Sequence, residues 1–135
     1  MKILLPAGWP RPRGYSNGVR ASGEQVFVAG MIGWDEAGEV ADGFIAQLEL
    51  ALRNTVAVLA EAGAGPEHVV RMTWYVKGLD HYRANLKEAG QAYRQIMGKH
   101  FPAMSVIGVD DLVEAGAMIE IESTAVLGSD QRKHL

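Results

Sequence analysis

Residues 119–126 alternate with a period of two. Ile119, Ile121 and Ala125 fall on one side, and Glu120, Glu122 and Thr124 on the other. The pattern predicts a strand with one buried face. A carboxylate in its middle is unusual, because strand interiors favour β-branched and aromatic residues. Upstream, the segment His100-Phe101-Pro102-Ala103-Met104-Ser105-Val106 predicts a second strand, joined to the first through a bend rich in Gly and Asp. Short apolar runs at 19–21 and 25–29 predict two further strands around the turn Ser22-Gly23-Glu24. A turn at 35–38 leads to a short extended piece around Val40. Residues 69–77, rich in β-branched and aromatic side chains, predict another strand.

Two stretches carry the helical period instead. Phe44, Leu48, Leu52, Thr55 and Leu59 recur at steps of four, four, three and four. Asp42 is the expected N-cap, Gly63 sits where a C′ glycine belongs, and Pro66 prevents continuation. Tyr82, Leu86, Ala89, Tyr93 and Ile96 form a second stripe, with Asp80 as its cap and Gly98 as its stop. Gly90 inside this helix costs about 1 kcal/mol relative to alanine and predicts a kink or a close contact.

The order is therefore β-β-α-β-α-β-β, an α+β chain in which two helices cover one face of a sheet. The other face is expected to remain apolar and to be covered by further copies of the chain. A length of 135 residues fits one domain spanning 1–135. Its lead-in, 1–14, is expected to be extended because Pro6, Pro10 and Pro12 crowd it, and its tail, 128–135, to be mobile.

Composition narrows the chemistry. A net charge of −3 argues against a general binder of phosphate backbones. The absence of cysteine removes disulfides, thiol nucleophiles and thiolate metal sites together. The four histidines show no paired metal spacing, so no metal or cofactor is expected. No apolar run approaches the roughly 20 residues of a membrane span, and 1–6 are too short for a signal peptide; a cytoplasmic location is the default. Gly14-Tyr15-Ser16-Asn17-Gly18 fits G-x-S-x-G, but a nucleophile elbow needs a strand before the serine and a helix after it. Glu120 and Glu122 stand roughly 7 Å apart along one strand face, which does not place them on opposite sides of a bond.

The ordered set of segments resembles the Rid family of reactive-intermediate deaminases, also called YjgF or endoribonuclease L-PSP. Glu120-Ile121-Glu122 matches the family's Glu-Ile-Glu strand. Pro102-Ala103-Met104 stands where relatives have Pro-Ala-Arg, and Gly14-Tyr15-Ser16 where they have Pro-Tyr-Ser. The strand 26–32, Gln47, Asn54 and the run 59–64 match as well, so the resemblance covers residues 14–127.

The resemblance implies a chorismate-mutase-like fold, a homotrimer and a small-molecule ligand in a cleft between subunits; the net charge and the lack of a long apolar run lead to the expectation of no nucleic acid or membrane partner. It implies that Glu120 positions or activates water for hydrolysis of an imine or enamine. It places Tyr15, Gly30, Ile32, Trp34 and Met104 around the substrate. Methionine has no donor, so Met104 lacks the family's two-pronged grip on a carboxylate and an altered substrate range follows. Arg20 and Arg94 are the first candidates for a replacement cation. The family's asparagine falls at Asn85 when aligned from the helix start, and at Gly90 when aligned from Tyr93 through Gly98. A binding or regulatory protein without catalysis is the alternative, and an RNA-acting protein of the L-PSP kind the second.

Overall fold

The alternating segment becomes the best-connected strand of the molecule. A computed structural model describes residues 1–128. Its elements are β1 (Lys2–Leu4), β2 (Gly18–Arg20), β3 (Glu24–Ile32), α1 (Phe44–Glu61), β4 (Val69–Lys77), α2 (Asp80–Ala84), α3 (Leu86–Met97), β5 (Ala103–Val109) and β6 (Ile119–Leu127). Four strands form one sheet in the order β3-β6-β4-β5. β6 runs antiparallel to both β3 and β4. β4 and β5 are parallel, as a crossover through α2 and α3 requires.

β6 delivers its alternation in full. Ile119, Ile121, Ala125 and Leu127 are completely buried toward the helices. Glu120 is half-buried and Glu122 exposed on the far side. Along α1 the apolar stripe is buried in its entirety, from Phe44 to Leu59. Each leucine hidden there stabilises the fold by roughly 1.5–3 kcal/mol. The helical residues Ala89, Ala92, Tyr93 and Met97 of α3 join the same core.

Several expectations need correction. The lead-in is not wholly extended coil, because Lys2–Leu4 pairs antiparallel with Gly18–Arg20 as a separate ribbon. Asp42 does not cap α1: Gly43 occupies the N-cap and no side chain bonds there. Asp80 lies inside the first turn of α2, behind Leu79. The second helix breaks at Asn85, not Gly90. Asn85 leaves helical geometry (φ −127°, ψ 31°), and its side-chain amide donates back to the His81 carbonyl at 2.7 Å. Such a local side-chain bond competes with the helix ladder. Of the expected tail 128–135, residues 129–135 lie outside those described.

The open sheet face is also not apolar. Register places Arg71 with Thr124, Thr73 with Glu122, and Tyr75 with Glu120 on that side. Phe27 and Ile107, 71% and 45% exposed, are its large apolar members. Alternation is the reason: Met72, Trp74 and Val76 of β4 and Ile119, Ile121 and Ala125 of β6 face the helices and leave polar residues outward.

Gln47, buried at 3% exposure, ties α1 to the loop before β6. Its amide nitrogen donates to the carbonyls of Ala41 and Gly116 at 3.0 and 3.1 Å, and its oxygen accepts from the Met118 N–H at 2.7 Å. The helix comes so close to Gly33 that a Cβ there would lie 2.4 Å from the Gln47 carbonyl oxygen. Replacing Gln47 by leucine leaves those buried partners unpaired, a cost of about 2–3 kcal/mol. Urea denaturation is expected to show a lower midpoint with an unchanged slope.

Candidate functional site

The segment before β2 is fastened to the start of β5. The Ser16 N–H donates to the Pro102 carbonyl at 2.9 Å, and its hydroxyl donates to the Phe101 carbonyl at 2.5 Å. Ser16 and Ala103 form a parallel bridge. The serine that fits a nucleophile motif is thus a buried clasp, and it sets Tyr15 beside Met104.

Both residues line a cavity of about 750 Å³ between this segment, β4, β5 and α3. Trp74, Tyr93, Phe101 and Val106 form its apolar wall. The aromatics brace one another: Tyr93 stacks on Phe101 at 5.8 Å, and Trp74 meets Tyr82 edge-on at 6.1 Å. The Tyr93 hydroxyl donates to the His100 carbonyl, and burial pushes its pKa far up, so it stays neutral at any ordinary pH. The indole Nε1 of Trp74 is buried and has no hydrogen-bond partner. The charged residues of the lining are Arg13, Lys87 and Arg94, with no carboxylate among them.

Glu120 belongs to the other side of the sheet. Its side chain lies on the backbone of Gly30, where a Cβ would come within 2.6 Å of Oε2. The β3–β6 register shifts between Val28 and Met31, so a bulge brings Gly30 to this point. Bulges recur where a strand has to re-aim a side chain. Ile32 pairs with Glu120 in register and is 5% exposed. Trp34 is 41% exposed, and its carbonyl, like that of Ile32, accepts from the Asn54 side chain. Glu122 accepts a 2.5 Å hydrogen bond from the Tyr75 hydroxyl, and that bond is the main reason the Tyr75 pKa is raised.

The six expected site residues therefore divide. Tyr15 and Met104 share the cavity, while Glu120, Gly30 and Ile32 meet at the β3–β6 junction, with Trp34 just beyond it. In register Met104 pairs with Met72 toward the helices, whereas Glu120 pairs with Tyr75 on the open face. One protomer does not join the two groups. Of the two replacement cations, Arg94 lines the cavity and Arg20 lies away from it, on the β1–β2 ribbon. Gly90 lines the cavity with Met104; Asn85 does not. Arg13, Lys87 and Trp74 were not anticipated. The spacing of Lys87, Gly90 and Arg94, three and then four residues, was the available signal for one cationic helix face. Among the described residues no cluster suits a metal, and no helix is long and apolar enough to cross a membrane.

A family model described as endoribonuclease L-PSP matches residues 10–127. A RutC family protein of Drosophila melanogaster is 31% identical over 134 residues, covering 98% of this chain and 94% of that one. A RutC family protein of Pyrococcus abyssi is 34% identical over 127 residues, covering 92% and 95%. Among solved structures, a protein of unknown function of the Rid family from Yersinia pestis superposes with a TM-score of 0.81 at 36% identity, covering 93% of this chain and 98% of that one. TdcF of E. coli, solved with bound serine, gives 0.68 at 26% identity, covering 95% and 100%.

The Glu120–Gly30 contact is directly testable. Gly30→Ala is expected to drive the Glu120 side chain into another rotamer at a cost of about 1 kcal/mol. A crystal structure of the variant would show the carboxylate lifted from β3.

Proposed function

Because the chain belongs to the endoribonuclease L-PSP family, which also carries the Rid, YjgF and RutC names, we propose that it hydrolyses a small reactive imine or enamine. In that reaction water adds to the imine carbon, the carbon–nitrogen bond breaks, and a carbonyl compound and ammonia leave. Glu120 takes the proton from the attacking water and returns it to the departing nitrogen. An enamine first gains a proton at carbon and then follows the same course.

The observation that carries this reading is the Glu120 carboxylate lying over Gly30. A half-buried carboxylate is set against a backbone whose missing side chain gives it the space to lie there. The separation of Glu120 from Met104 and Tyr15 supports a cleft between copies, with the base from one and the cavity from its neighbour. Phe27 and Ile107 on the open face supply apolar surface for such an assembly. Family resemblance makes the number three.

A binding protein without turnover is the second reading. Met104 favours it, as does TdcF, a relative whose structure holds serine. An RNA-acting role finds less support, given the net charge of −3 and the carboxylates on the open face.

Two measurements bear on the proposal. Light scattering is expected to give three chains per particle, and a monomer at micromolar concentration would remove the shared cleft. Glu120→Gln keeps the shape but accepts no proton, so turnover is expected to fall about 10²- to 10⁴-fold with assembly intact. Glu122→Gln, which touches only the Tyr75 bond, is expected to matter much less. Equal, mild effects from both would favour the binding protein.

A further inference from the structure

The cavity has the make-up of a particular ligand. Its wall is aromatic, its charges are all positive, and none of Arg13, Lys87 or Arg94 is ion-paired among the described residues. Trp74, 2% exposed, is part of that wall, and its indole N–H donates to nothing in the protein. The volume of about 750 Å³ falls within the usual range of small-molecule sites. Gly90 keeps it open: a Cβ there would meet only the Arg94 guanidinium, at 3.2 Å.

From these features we infer that the cavity binds a carboxylate that carries an aromatic ring, such as a 2-imino acid with an aromatic side chain. Arg94 is its anion-gripping residue in place of the arginine that position 104 lacks. Arg13 and Lys87 add positive charge at the same opening. The ring packs against Trp74, Tyr93 and Phe101. A guanidinium suits the carboxylate because its fork matches two oxygens at once. The inference rests on the imine reading for the reaction, but the ligand class stands or falls on binding alone.

Calorimetry with three probes separates the parts. Phenylpyruvate, the hydrolysis product of an aromatic 2-imino acid, carries both ring and carboxylate; pyruvate carries only the carboxylate, and phenylacetone lacks it. Phenylpyruvate is expected to bind at least about ten-fold more tightly than either. Arg94→Gln, at an exposed position, is expected to remove that advantage over phenylacetone. Gly90→Leu improves helix propensity and fills the cavity, so it is expected to fold at least as stably and to lose phenylpyruvate. Equal binding of phenylpyruvate and phenylacetone, no binding of phenylpyruvate, or an unaffected Arg94→Gln would overturn the inference. Turnover is scored separately, with the imine of phenylpyruvate generated in the assay. Binding without turnover would keep the ligand class and sink the hydrolase, whereas turnover of the pyruvate imine without phenylpyruvate binding would do the reverse.

Discussion

The register of β6 is the constraint on which the molecule depends. This strand is hydrogen-bonded on both sides, to β3 and to β4. Its five inward residues, from Ile119 to Leu127, are buried beneath α1 and α3. A slip of one position would turn Glu120, Glu122 and Thr124 into that core and expose the isoleucines. Burying even one unpaired carboxylate is costly enough to forbid this. The same register that builds the core therefore also fixes which side Glu120 occupies and which glycine it lies on.

The cavity has a different origin. It exists because the chain ahead of β2 comes back to the start of β5 and is held there by Ser16. That return brings Arg13 and Tyr15 against residues of β4, α3 and β5 that are far away in sequence. The sheet thus separates two chemical neighbourhoods, a carboxylate on one side and aromatic rings with guanidinium groups on the other. If both neighbourhoods serve the proposed reaction, a second copy of the chain would have to bring them together.

Much of the fold was legible in the sequence, because it rests on local periods. Residues 69–77 were readable from their β-branched and aromatic content, and the stripe from Phe44 to Leu59 from its helical spacing. The helix caps were not. Asp42 and Asp80 are good cap types each one place from the true N-cap, and only backbone geometry decides between neighbours. Glu120 and Met104 were found through family motifs. Their placement on opposite faces also follows from alternation once the β4 register is known, but a sequence does not state that register. Trp74 was hidden for a related reason. It reads as an ordinary core residue of a strand, and that its N–H lacks a partner is visible only once its surroundings are built.

The position of β6 in the sheet also bears on how the protein is made. β6 is an interior strand of the sheet, and both of its partners precede it in the chain and are synthesised earlier. Until residues 119–127 arrive, β3 and β4 have no strand between them, and each carries an unpaired edge. The helices form from local contacts, but the sheet closes only through pairings distant in sequence, which are slow to find. During that interval the nascent chain presents the open strand edges that invite aggregation. A ribosome that released this chain before residue 119 would yield a polypeptide with its helices and the β4–β5 pair but no strand to join them to β3.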